Sequence, residues 1–78
     1  MSERTLHEAF RRRLGTSPAA HLRDLHLQAA RDALLDADPG AGVTVARIAL
    51  EHGFAHPGRF ATTYRARFGE SPAVTLRR

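Results

Sequence analysis

The side chains of this 78-residue chain that can do chemistry are arginines, histidines and carboxylates; there is no lysine and no cysteine. All 12 basic residues are arginine, against 8 acids, for a formal charge of +4. Their placement matters more than their number. Arg4, Arg11, Arg12 and Arg13 crowd one end of the sequence, Arg59, Arg65 and Arg67 the other, and Asp24, Asp32, Asp36 and Asp38 lie between. Guanidinium groups bind phosphate and the guanine edge through paired donors, so charge segregated this way marks a polyanion-facing surface. A solvated arginine face is the plainer reading of the same charges. The five histidines suggest a metal, but His52 and His56 are separated by Gly53, which ends any helix that would align them. His21 and His26, five apart, share no helical face, and no thiolate assists. Ser2, Ser17 and Ser71 stand where helices start, which favours capping over nucleophilic chemistry, and without lysine there is no Walker phosphate loop. No catalytic residue, metal or cofactor is expected, and the chain does not read as an enzyme.

The strongest pattern is internal repetition. Residues 6–19 and 60–73 align at an offset of 54 positions. Arg11, Arg13, Gly15, Ser17, Pro18 and Ala19 match Arg65, Arg67, Gly69, Ser71, Pro72 and Ala73; Leu6, Phe10 and Leu14 match Phe60, Tyr64 and Phe68. A catalytic site has no use for a duplicated basic amphipathic helix. A reader of duplex DNA does, because two like faces can meet two successive turns.

The elements that position these faces follow from periodicity and punctuation. Residues 2–14 predict a helix capped by Ser2, with an apolar stripe of Leu6, Phe10 and Leu14 and a stop at Gly15. Ser17-Pro18 opens a long helix over 18–36. Its apolar residues Leu22, Leu25, Ala29, Ala30, Ala33 and Leu34, widened by Leu27 and Leu35, predict a helix sandwiched between two partners. Residues 38–42 read as a plain loop. Thr44 caps a short helix over 45–52, with Val45, Ile48 and Ala49 inward and a stop at Gly53. Phe54 turns into the core. His56 is a mediocre cap for a helix from Pro57 to Phe68, and Ser71-Pro72 opens a terminal turn or short helix through Leu76. Nothing alternates with period two, so the fold class is all-α. No stretch reaches the roughly 20 apolar residues of a membrane span, and no signal peptide follows Met1. The absence of cysteine fits a reducing cytoplasm.

Residues 44–68 have the form of a helix-turn-helix: a short helix, a tight turn at 53–56, then a basic amphipathic helix. Phe60, Tyr64 and Phe68 hold that second helix to the body, leaving Arg59, Thr62 and Arg65 outward. The order Leu-x3-Phe-Arg-x2-Leu-Gly-x-Ser-Pro, a long alanine-rich helix, Ile48-Ala49, Gly53-Phe54, then Phe60-x3-Tyr64-Arg65-x2-Phe68-Gly69-x-Ser71-Pro72 resembles the C-terminal DNA-binding domain of AraC/XylS-type transcription regulators. The likeness runs the length of the chain. It implies a first recognition helix over 1–15, a linker helix over 18–36, and a second helix-turn-helix unit with a C-terminal helix over 44–78. The helices that precede the first recognition helix in such domains do not precede Met1, as in a fragment, a misassigned start or a remnant gene. The first unit is therefore expected to be incomplete at its N-terminus and less stable.

The resemblance also implies function: sequence-specific binding of promoter duplex, one recognition helix in each of two adjacent major-groove segments, in the cytoplasm at the bacterial nucleoid. Carried over by position, the base-reading residues of the first unit are Glu3, Arg4, His7 and Glu8, with Arg4 and His7 foremost. Arg11 and Arg12 lie nearer phosphate, and Glu8 pairs with arginine along the helix in the plainer reading. In the second unit the positions are Pro57, Gly58, Ala61 and Thr62, flanked by Arg59 and Arg65. Three of these lack a side-chain hydrogen bond, so the second helix is expected to grip backbone and thymine methyls while the first discriminates sequence. Where the family usually has arginine on the linker helix, this chain has His26. RNA polymerase and self-association are further partners of such domains; a membrane is not, and no small-molecule site is expected in this chain. The alternative from another class is a helical interaction module that binds a protein or itself through its apolar stripe, touching DNA only nonspecifically.

Overall fold

The structure is a computed structural model that describes residues 3–78, except for the side chains of Glu3, His7, Phe10, Leu14 and Pro39. The expected Ser2 cap lies outside the described residues. Five α-helices follow in order: α1 (Glu3–Leu14), α2 (Pro18–Asp36), α3 (Val45–Glu51), α4 (Pro57–Phe68) and α5 (Pro72–Leu76). No strand occurs among the described residues. Helix starts are set by hydroxyl caps. Ser17 accepts from the Ala20 amide at 3.2 Å, Thr44 from Arg47 at 3.1 Å and Ser71 from Val74 at 3.3 Å, each satisfying a donor the helix cannot. His56, before α4, makes no side-chain cap bond. Gly15 and Gly69 end α1 and α4 at φ of 68° and 80°, a left-handed conformation that side-chain-bearing residues adopt only with strain.

The core is one cluster of Leu27, Ala30 and Leu34 from α2, Ile48 and Ala49 from α3, and Phe60 and Tyr64 from α4, with Phe54, Phe68 and Leu76 closing its edges. Ala49 is fully buried, and its carbonyl accepts from the Phe54 amide at 2.8 Å, which folds the turn tightly back onto α3. Phe54, Phe60, Tyr64 and Phe68 form a continuous file of tilted rings, neighbouring centroids 4.7–5.6 Å apart.

Two expectations are corrected. The long helix is not sandwiched: α3 and α5 share the Leu27–Leu34 side, while Leu22, Leu25 and Leu35 stay 49–53% exposed and Ala29 is also exposed. The physical reason is angular. Eight apolar residues span more of the helix circumference than these two elements cover. The segment after α2 is not a plain loop either. It closes a 3-10 turn over Pro39–Ala41, with Asp38 Oδ1 accepting from the Gly40 amide at 2.9 Å. An aspartate two residues before the amide it binds favours that turn over open coil.

Candidate nucleic-acid interface

On α1, Arg4, Glu8, Arg11, Arg12 and Arg13 are all exposed, while the side chain of His7 lies outside the described residues. Arg4 and Glu8 form an i,i+4 ion pair at 3.6 Å with side chains 90% and 59% exposed. A pair so open to water is weak and leaves the guanidinium free to exchange partners. On α4, Pro57, Gly58, Arg59, Thr62 and Arg65 are likewise exposed, whereas Phe60 and Tyr64 are buried. That division follows from helical spacing: residues 60, 64 and 68 lock inward, so 58, 62 and 65 must face out. The hydroxyl of Thr62 donates to the Gly58 carbonyl at 3.2 Å, which turns the side chain back on its own helix.

Arg67, grouped by sequence with the surface-facing arginines, is instead a tie. Its Nε donates to Asp24 Oδ1 of α2 at 2.6 Å, and its guanidinium lies 5.0 Å from the Phe68 ring centroid. The hydrogen bond to Asp24, then its charge, holds the Arg67 pKa above the ordinary arginine value. Arg31 of α2 also lies over Phe68, at 5.2 Å. Phe68 is thus approached by two cations, which anchor the end of α4 to the middle of α2.

Sequence reasoning missed a second device altogether. The Tyr64 hydroxyl, fully buried, donates to Thr75 Oγ1 at 2.7 Å. Thr75 in turn donates to Glu70 Oε2, and Arg78 donates to the same carboxylate. Hydrogen bonds from Arg78 first and Thr75 second hold the Glu70 carboxyl below the usual carboxylate range. A signal was available: a tyrosine in an otherwise phenylalanine and leucine stripe needs a polar partner once buried. At the matching positions of the first copy stand Phe10, His21, Thr16 and Asp24, which cannot repeat the relay.

His52 turns back so that its Nδ1–H donates to the Ile48 carbonyl at 2.8 Å, and no cluster of three metal-capable side chains exists among the described residues. Nor is any helix, among the described residues, long and apolar enough to cross a membrane.

A short helix, a tight turn and a basic helix anchored by its inner face define the helix-turn-helix class of DNA-binding fold. Comparison with known proteins agrees. A family model described as a helix-turn-helix domain matches residues 1–78. The XylDLEGF operon transcriptional activator 1 of Pseudomonas putida is 46% identical over all of this chain. A Rhodococcus erythropolis protein named "Probable thc operon regulatory protein" is 46% identical over 99% of it. The chain spans only 23% of the length of either relative. The crystal structure of "a probable AraC family transcriptional regulator" from Rhodopseudomonas palustris CGA009 matches with a TM-score of 0.88 at 40% identity, covering 99% of this chain and 69% of that one. An AraC-type regulator structure from Chromobacterium violaceum matches at 0.87 and 30% identity, covering 97% and 64%. The chain belongs to the AraC/XylS family of helix-turn-helix DNA-binding domains, a family of transcription regulators and not of enzymes.

Proposed function

We propose that this chain reads a promoter by placing α1 and α4 in two adjacent major-groove segments, with α2 as the strut between them. The observation that carries this reading is the pair of basic outer faces, on α1 and α4, set apart in a body 48 Å long and about 20 Å thick. A 19-residue helix such as α2 measures roughly 28 Å, and successive major-groove faces lie about 34 Å apart, so a body of this length reaches both.

The two readers work differently. On α1, Arg4 and His7 discriminate bases, Arg4 exchanging Glu8 for a guanine edge, while Arg11 and Arg12 hold phosphate. On α4, Pro57, Gly58 and Ala61 bring no donor, and the Thr62 hydroxyl already serves Gly58. Thr62 then offers its methyl to thymine, and Arg59 and Arg65 grip the strand. The Pseudomonas putida relatives are named as transcriptional activators, which supports contact between the whole protein and RNA polymerase. Work of this kind belongs at the bacterial nucleoid.

Selection of bound duplexes from a random pool at physiological salt tests the proposal. The expected product is a motif of two blocks spaced about 10 base pairs centre to centre. Arg59→Ala and Arg65→Ala should each weaken binding to it by about tenfold or more. Recovery of no motif, or of one block only, overturns the two-groove reading. Full-strength duplex binding by both variants removes α4 from it.

A further inference from the structure

A groove of about 580 Å³ opens between the first half of α2 and the turn that leads into α4. Its apolar lining includes Leu22, Phe54 and Phe60. Its rim carries Arg23 and His26 from α2 and His56 and Arg59 from the entrance of α4, and no carboxylate lines it. All four rim residues are exposed, and none of their side chains has a hydrogen-bond or ion-pair partner among the described residues. Asp24, the acid adjoining Arg23 in sequence, is held away by Arg67 at 2.6 Å. His26 lies against the turn: a Cβ on Gly53 would make ordinary contact with its Nδ1 at 3.6 Å, and it is the backbone φ of +88° that favours glycine there. Two guanidinium groups and two imidazoles, with no carboxylate beside them, make a cradle for an anion.

Its place in the molecule says which anion. His56 immediately precedes α4, and Ala19 to His26 immediately follow the short turn from α1. The groove therefore lies on the stretch of surface between the two helices that the reading above sends into successive major grooves. A DNA strand leaving one groove segment for the next must cross that stretch, and it carries a phosphate every few ångströms. We propose that the groove seats a backbone phosphate of the strand between the two half-sites, held by Arg23 and His26 together with His56 and Arg59. This makes α2 a DNA-contacting element as well as a spacer. The inference rests on the two-groove reading and adds to Arg59 of α4 a contact from Arg23 and His26 of α2, outside both recognition helices.

The test uses the two-block duplex recovered by selection, made with a single neutral methylphosphonate at each linkage between the blocks in turn. For the wild-type chain, one or two adjacent linkages should weaken binding by about tenfold, while the others have little effect. Arg23→Ala/His26→Ala should bind the unmodified duplex at that weakened level, lose nothing further at those linkages, and show a salt dependence shallower by about one unit of slope. The unmodified fold of the variant is checked by its thermal unfolding. Equal sensitivity of wild type and variant at every linkage overturns the inference, as does wild-type affinity in the variant. Inorganic phosphate titrated alone separates the other source of the same chemistry. Saturable binding of the free ion by the wild type, with no linkage-specific loss on DNA, also overturns it. A wild-type chain with no sequence preference overturns the two-groove reading itself, a result distinct from all of these.

Discussion

The hydroxyls of Thr62 and Tyr64 stand two residues apart on α4 and have opposite fates. Thr62 faces out and bonds its own helix, so a polar residue type presents a methyl group. Tyr64 faces in and starts a buried relay through Thr75 to Glu70, which Arg78 completes. Tyr64→Phe removes one donor and leaves Thr75 still bonded to Glu70. The expected loss is about 1 kcal/mol in urea unfolding, with the fold retained. Glu70 gives a pH signature. Because its carboxyl is held below the usual carboxylate range by Arg78 and Thr75, the stabilisation is fully present above that ordinary range. It is lost as pH falls through the lowered value of the folded state. Thermal unfolding followed from neutral to acid pH should therefore show a steeper decline for wild type than for Glu70→Gln. Parallel curves would remove Glu70 from the acid response.

Helix α4 and helix α1 carry the same sequence pattern on different footings. Phe60 is 1% exposed, while Leu6, its copy, is 43% exposed. Phe60→Ala should lower stability by about 3–5 kcal/mol, enough to unfold much of a domain this small, whereas Leu6→Ala should cost under about 1 kcal/mol. Equal losses in urea titrations would mean the copies are equally embedded. The elements themselves were legible because serine-proline starts, glycine stops and the spacing of apolar residues act within a few positions of one another. Helices 18–36, 57–68 and 72–76 follow directly from those signals. The burial of α2 was less legible. A run rich in leucine and alanine says how much apolar surface exists, not how much of it neighbouring elements cover, and so Leu22, Leu25 and Leu35 were misplaced. Arg67 was misread for a related reason. Its partner, Asp24, is 43 positions away, and no local pattern announces a pair brought together by packing. The Thr75–Glu70–Arg78 relay needed the same long-range knowledge, although the lone tyrosine hinted at it. The outer residues of α4 were legible, since fixing 60, 64 and 68 inward decides where 58, 62 and 65 point.

The whole molecule is extended for its size, with a radius of gyration of 14.6 Å against about 11.5 Å for a compact chain of this length. Among the described residues, the exposed side chains of Arg11, Arg12, Arg23, Arg59 and Arg65 have no ion-pair partner. Five such contacts with phosphate would give a slope of about −4 to −5 in the logarithm of affinity against the logarithm of salt concentration. A slope near −2, measured by titration on the selected duplex, would mean that only one end of the body engages. Arg67 adds nothing to that slope while Asp24 holds it, so Arg67→Ala should leave the salt dependence unchanged. On the two-groove reading proposed above, the two ends are copies in pattern but not in chemistry: one would offer arginine and histidine to base edges, the other glycine, alanine and a methyl group. Such a molecule has a front and a back. Turned end for end on the same duplex it would no longer fit, so a single copy can tell upstream from downstream without a second subunit to set its bearing.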